Sequence, residues 1–218
     1  MTEHAHGAHH HAHGAGHGEG HAHGFDQNRN PEDFAAYLAR LEGEDRDAWQ
    51  RPDEVVAALG LAPGQIACDA GAGPGYFAVR LARAVGPAGR VYAIDVEPRM
   101  IAVLEERVRA AGLRNVTPIL AAGGEPLPPE PCHAILIVNT YHHFPDGVAT
   151  LRRLAGRLAP GGRLVNVDFH AGELPVGPPP EHKLSRDDFV AAAEAAGLRV
   201  VDERTFLPYQ YLVALAPR

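Results

Sequence analysis

Between Gln65 and Arg83 the chain reads Q-I-A-C-D-A-G-A-G-P-G-Y-F-A-V-R-L-A-R, and few folds accommodate that order. The short apolar run Ile66-Ala67-Cys68 ends at Asp69, and Gly71, Gly73 and Gly75 follow at alternate positions. Behind them Phe77 and Leu81, and Ala78 and Ala82, recur four apart. This is a strand, a glycine turn and a helix. Glycines suit such a turn because some of its positions need φ > 0 and because a ligand must approach the bare backbone. The N–H groups that open the helix then face a polar ligand.

A dinucleotide site needs G-x-G-x-x-G. Counting from Gly71, the third glycine would fall at 76, where Tyr76 stands. The spacing is D-x-G-x-G-x-G instead, which resembles motif I of the class I S-adenosylmethionine (SAM) methyltransferases. An acidic residue for ribose hydroxyls is expected about 20 residues further on. V-Y-A-I-D supplies Asp95 at the end of the next apolar run, twenty positions after Gly75. Weighed against a plain tight turn between two core elements, a triplet led by Asp69, flanked by strand and helix and followed in register by Asp95, favours the ligand site.

The rest of the chain falls into three stretches. Residues 1–24 are low-complexity: histidines at 4, 6, 9, 10, 11, 13, 17, 21 and 23 are spaced mostly by Ala and Gly, with no bulky apolar residue before Phe25. Ordering each residue costs about 1–2 kcal/mol and nothing there can be buried to offset it, so a disordered His-rich tail is expected. A divalent metal is the candidate partner of so many imidazoles, although a solvated tail with incidental affinity is the favoured reading. Residues 25–60 read as a helical cap. Asn30-Pro31-Glu32-Asp33 is a helix start, Phe34, Tyr37, Leu38 and Leu41 share one face, and a second start lies at Arg51-Pro52. Trp49, the only tryptophan, either covers the ligand or docks these helices on the sheet, and docking is favoured.

Residues 61–218 alternate: strand 66–69, helix 75–85, strand 90–95, helix 97–111, strands 115–120 and 133–138, helix 146–158, strand 162–168, helix 185–196, strands 198–205 and 209–215. Alternation gives a parallel sheet with helices on both faces. Only Phe206-Leu207-Pro208 separates the last two strands, too short for a parallel crossover, so they form a hairpin. The expected class is α/β, a Rossmann-like doubly wound sheet of seven strands. The resemblance, which covers roughly residues 61 to 216, implies the order 3-2-1-4-5-7-6 with strand 7 antiparallel.

The resemblance also implies roles. Asp69, Gly71, Gly73 and Gly75 surround the methionine part of SAM, Asp95 takes the ribose, and Val96 and Met100 lie beside the adenine. The adenine amino group usually meets an Asp after strand 3. The segment Ala121-Ala122-Gly123-Gly124-Glu125 has none, so a backbone group at Ala122 or Gly123, or Glu125, must serve. After strand 4 comes Asn139-Thr140-Tyr141-His142-His143-Phe144. It differs from the Asn-Pro-Pro-Tyr of many N-methyltransferases and is closer to small-molecule enzymes such as the quinone-biosynthesis C-methyltransferases. Asn139 is assigned to the cofactor, and Gly161-Gly162 before strand 5 is a structural turn.

Methyl transfer asks the protein to align a nucleophile and remove its proton if there is one. Ligands in open α/β sheets sit at the carboxyl ends of strands. That makes Tyr141, His142 and His143 the catalytic candidates, and Trp49, Asp168, His170, His182, Tyr209 and Tyr211 the substrate candidates. A histidine base near its ordinary pKa of about 6.5 gives activity rising between about pH 6 and 8. Two imidazoles and a carboxylate on a divalent metal is the less favoured alternative.

The net charge of −7 and the lack of any Lys/Arg cluster argue against nucleic acid. No apolar run approaches the roughly 18–20 residues of a membrane span. With no signal peptide, Cys68 and Cys132 read as buried thiols and the protein as cytoplasmic. The expectation is a SAM-dependent methyltransferase with a small-molecule acceptor. The alternatives are a metal-binding or metal-responsive SAM-binding protein, or a metal or metalloid methyltransferase; for the last, two cysteines do not supply the several thiolates such enzymes use.

Overall fold

The computed structural model describes residues 1, 33–43, 45–121 and 124–218. The tail and Asn30-Pro31 lie outside the described residues, as do Ala122 and Gly123.

Seven strands form one sheet in the order β3-β2-β1-β4-β5-β7-β6. They are β1 (Ile66–Ala70), β2 (Arg90–Asp95), β3 (Val116–Leu120), β4 (Cys132–Val138), β5 (Leu158–Phe169), β6 (Leu198–Arg204) and β7 (Gln210–Pro217). Strands β1 to β5 pair in parallel, and β7 runs antiparallel to both β5 and β6. The order, the hairpin and the antiparallel strand are as expected.

Side-chain alternation divides the core into two layers. Ala67, Val91, Ala93, Leu136, Val165 and Ala214 face one way, onto α3 (Pro52–Ala58), α4 (Ala78–Val85) and α5 (Pro98–Ala110) through Val55, Leu81 and Leu104. Cys68, Ile94, Ile135, Ile137, Val213 and Leu215 face the other, onto α6 (Gly147–Ala155) and α7 (Arg186–Ala195) through Leu151, Leu154 and Phe189. Burial on both faces explains why β4 is a continuous apolar run from Ala134 to Val138 rather than an alternating one.

Some boundaries move. Helix α4 starts at Ala78, not at position 75, because Gly75 at φ +87 and the two residues after it belong to the turn. Helix α6 stops at Ala155, and β5 begins at Leu158 instead of 162, pairing Leu158 with Cys132 across a bulge. The L-A-P-G-G-R segment is therefore the start of a strand. Gly162 is structural all the same: a Cβ there would lie 2.9 Å from the carbonyl oxygens of Ala159 and Cys132. The first helix, α1 (Phe34–Leu41), begins after Asp33, whose carboxylate accepts from the Ala36 amide at 2.9 Å.

Helices α1 and α2 (Arg46–Gln50) lie across the carboxyl end of the sheet, held by side chains on several elements. Asp47 accepts from Arg80 at 2.8 Å and from the Tyr76 hydroxyl. Arg107 on α5 reaches Glu42. Arg51, left-handed at φ +45, joins α2 to α3 and donates to the Phe206 carbonyl at 2.7 Å. Trp49 packs on Phe169 with ring centroids 5.7 Å apart.

Candidate active site

Both acidic residues of the sequence motif stand at the carboxyl ends of adjacent strands. The loop after β1 is pinned to β2: the Gly71 and Ala72 amides donate to the Ile94 carbonyl at 2.8 and 2.9 Å, and the Gly73 amide donates to Asp95 Oδ2 at 2.7 Å. The Glu97 amide donates to the other Asp95 oxygen at 3.0 Å. Each carboxylate oxygen has two lone-pair sites, so Asp95 keeps acceptor capacity for a hydroxyl. The glycines divide the work. A Cβ at Gly71 would meet Thr140, and one at Gly75 would strike Leu104 Cδ1 at 2.4 Å. At Gly73 (φ +51) a Cβ would meet nothing within 4 Å, so this glycine leaves its backbone open to the cleft.

The cleft is lined by Asp69, Gly71, Gly73, Asp95, Val96, Met100, Asn139 and His143 from the expected set. Gly75 stands behind it, against α5. Sequence reasoning did not assign Tyr37, Leu41, Arg46, Glu97 or Thr140 to this lining, but all belong to it. Tyr37 and Leu41 were legible as one apolar face of α1. Arg46 carried no such signal, since an arginine on a short helix reads as solvent-facing.

The electrostatics of the cleft are unbalanced. Asp69 is 2 % exposed, and its Oδ2 has no hydrogen-bond partner. Burial, then the nearby Asp95 charge, raises its pKa to about 7, against the lowering effects of Arg46 and the Ala78 amide. Burial also raises Asp95 above the usual carboxylate range, opposed by the amides that bond it. Arg46 lies over the Tyr76 ring, 3.8 Å from its centroid. Burial lowers its pKa to about 10, which leaves it a cation at neutral pH. It donates through Nε to Gln50 Oε1 and through Nη1 to the Leu41 carbonyl, both at 2.5 Å. Three of its five donors remain. One cleft thus offers an unpaired buried carboxylate oxygen and a cation with spare donors.

Beside this cleft, β4 and β5 bring together three expected residues. His142 Nδ1 stands 3.2 Å from Asp168 Oδ2, and Asp168 is 1 % exposed. The rings of His142 and His143 are 4.0 Å apart; His143 lines the cleft while His142 turns to Asp168. Tyr141 is buried against Phe189 and Phe144. Tyr211 is also in that core, 6.2 Å from Phe189, with its hydroxyl unpaired. His170 and His182 are exposed and Tyr209 is half-buried. None of these five lines the cleft. Among the described residues no three His, Cys, Asp or Glu side chains gather to hold a metal ion, and no helix is long and apolar enough to cross a membrane.

Residues 67–162 match the family model of a methyltransferase domain. The chain is 33% identical over 119 residues to a protein-L-isoaspartate O-methyltransferase of Aeropyrum pernix, covering 54% of this chain and 40% of that one. It is 32% identical over 114 residues to a demethylmenaquinone methyltransferase of Geobacillus kaustophilus, covering 52% and 49%. The chain thus spans less than half the length of these two relatives. A solved SAM-dependent methyltransferase from Aquifex aeolicus superposes with a TM-score of 0.77 at 29% identity, over 83% of this chain and 96% of that one.

Proposed function

From a chain that belongs to the class I SAM-dependent methyltransferases, we propose an enzyme that transfers a methyl group from SAM to a small organic acceptor at the carboxyl ends of β4 and β5. The observation that carries this reading is the unpaired Asp69 oxygen sharing a cleft with Arg46 and Asp95. A ligand that carries an ammonium, a carboxylate and a vicinal diol satisfies all three, and SAM carries each of them. When bound, SAM supplies a methyl group activated by a sulfonium.

The chain's own residues then have these tasks. Asp95 accepts from the ribose hydroxyls. Val96 and Met100 flank the adenine, with the segment at Ala122 and Gly123 expected at its amino group. Asp69 meets the ammonium, and Arg46 the carboxylate. With the His142 proton on Nδ1, donated to Asp168 Oδ2, the Nε2 lone pair is left as the base. His143, whose ring lies 4.0 Å from that of His142, lines the cleft itself.

The acceptor is read from this chain's own residues, because relatives matched over 119 and 114 residues carry names with different acceptors. A small molecule is supported by the half-buried Trp49 against Phe169, next to Asp168, and by the absence of a basic cluster. His170, His182, Tyr209 and Tyr211 stay candidates for the acceptor side. The test is incubation of the protein and labelled SAM with a metabolite extract, read by mass spectrometry, after calorimetry with SAM. A labelled small product is expected; failure to bind SAM overturns the reading.

A further inference from the structure

A buried hydrogen-bond chain runs from α2 through the C-terminal hairpin to the end of β4. Arg46 Nε donates to Gln50 Oε1 at 2.5 Å, Gln50 Nε2 donates to Gln210 Oε1 at 3.0 Å, and Gln210 Nε2 donates to Asn139 Oδ1 at 2.6 Å. Gln50 is 0% exposed and Gln210 is 1% exposed. Both ends of the chain, Arg46 and Asn139, line the same cleft.

The direction of the chain is dictated by its first member. A guanidinium has no acceptor, so Gln50 must turn its carbonyl to Arg46 and its NH₂ to Gln210. A buried NH₂ needs an acceptor, so Gln210 must present its carbonyl to Gln50 and its own NH₂ to Asn139. Asn139 is left with its carbonyl occupied and its NH₂ free, and no described residue accepts from that NH₂. The backbone holds the amide there. Asn139 sits at φ +52, a conformation asparagine tolerates better than most residues, and its amide donates to the Val167 carbonyl at 2.9 Å.

We infer that Gln50 and Gln210 are positioning residues that make Asn139 a hydrogen-bond donor toward the cleft, where it and Arg46 together select a carboxylate-bearing cofactor. This rests on the SAM reading and deepens it. Carboxylate recognition is not built into the glycine loop; it is assembled from α2 on one side and the β7–β4 contact on the other. Asp69, whose Oδ2 has no hydrogen-bond partner, takes the opposite pole of the same amino-acid group.

The test compares two ligands that differ only in the carboxylate: S-adenosylhomocysteine and its decarboxylated form, S-adenosyl-3-thiopropylamine. Calorimetry at pH 8 follows the wild-type protein, Asn139→Gly, Gln210→Glu and the double variant. Glycine accepts φ +52 without strain. Glutamate at 210 still accepts from Gln50 but cannot donate, so Asn139 must reverse and turn its carbonyl to the cleft. Each single variant is expected to lose about tenfold or more in affinity for S-adenosylhomocysteine, the range of a charge-assisted hydrogen bond. The decarboxylated ligand should change by less than about twofold, since it never made that bond. The double variant should be no worse than Asn139→Gly, because Gln210 acts only through Asn139. Equal losses for both ligands, or losses that add, would overturn the inference while leaving the cofactor reading intact. If Gln210→Glu fails to fold, the two ligands on Asn139→Gly decide alone. No binding of S-adenosylhomocysteine by the wild type would overturn the cofactor reading, and the inference with it.

Discussion

His142 Nδ1 lies 3.2 Å from Oδ2 of Asp168, a carboxylate buried at the end of β5 whose other oxygen accepts from the Phe169 amide at 2.8 Å. That second bond makes Asp168→Asn an informative change. The Phe169 amide would hold the new carbonyl, so the NH₂ would face His142 and force its Nδ1 to accept. The ring proton would move to Nε2, and the base would be lost. The expected outcome is a fall in kcat of about 10²–10⁴-fold, the usual contribution of general-base catalysis. Affinity for S-adenosylhomocysteine should be unchanged by calorimetry. Full activity in both His142→Ala and His143→Ala would remove the base altogether and leave positioning as the mechanism.

Asp69 gives a pH prediction with a definite sign. Its folded-state pKa is about 7, above the ordinary aspartate value of 3.8. The ligand-free fold therefore carries no penalty from Asp69 while the group is protonated in both states. Stability is lost as pH rises from about 4 through about 7, and the loss is complete above that. Replacing the carboxylate with an amide removes the dependence. Asp69→Asn should gain about 2–3 kcal/mol on the wild type between pH 5 and pH 8, measured by urea unfolding without ligand. A stability difference that is flat with pH would mean that Asp69 is ionised throughout.

What was readable in advance follows from how local each signal is. Asp69, the three glycines and Asp95 sit within one strand-turn-helix-strand unit, where spacing alone determines the geometry. The two-layer core was equally accessible, because strands buried on both faces show as apolar runs. The Arg46–Gln50–Gln210–Asn139 chain was not accessible. Gln50 and Gln210 are 160 positions apart, and a glutamine on a helix or strand carries no mark of burial until its partner is known. His142 and Asp168 lay between these cases: the inferred sheet order put β4 beside β5, and the pair followed from that adjacency. The start of α4 was misread because glycine at φ +87 continues a loop that hydrophobic spacing alone assigns to the helix.

Gly71 is where loop and packing meet, and it gives a prediction about stability. At φ +85, alanine is disfavoured by about 1–2 kcal/mol for its backbone alone. Its Cβ would also stand 2.2 to 2.8 Å from Thr140 side-chain atoms, and forcing such contacts costs about 1–3 kcal/mol more. Gly71→Ala should therefore lower the midpoint of thermal unfolding and weaken SAM binding. Gly73→Ala carries the same kind of backbone cost at φ +51 but no packing clash, since its Cβ meets nothing within 4 Å; it should therefore destabilise less than Gly71→Ala, yet weaken SAM by occupying the cleft. The two variants separate when unfolding and binding are measured side by side.

Asp95→Ala tests the cofactor site directly. The expected cost is about 1.5–3 kcal/mol of SAM affinity, the value of a charge-assisted hydrogen bond. The variant also frees the Gly73 and Glu97 amides that Asp95 holds, so Asp95→Asn is its companion, keeping the shape without the charge. Unchanged affinity in the alanine variant, or NADH bound in place of SAM, would exclude the assignment.

The histidine-rich segment should be dispensable for cofactor binding. The described lining of the cleft begins at Tyr37 and the buried core at Val55, and no bulky apolar residue stands between Met1 and Phe25 to anchor the earlier stretch. A chain starting at Gly24 is expected to keep its thermal unfolding midpoint and its SAM affinity. If that shortened chain folds but no longer binds SAM, the segment belongs to the site. The same chain gives a clean chelator experiment, because the nine histidines before Gly24 can no longer compete for metal. With an acceptor in hand, its activity should survive the chelator, as a histidine base requires. Activity lost to the chelator and restored by one divalent ion would replace the base with a metal that orients an oxygen nucleophile.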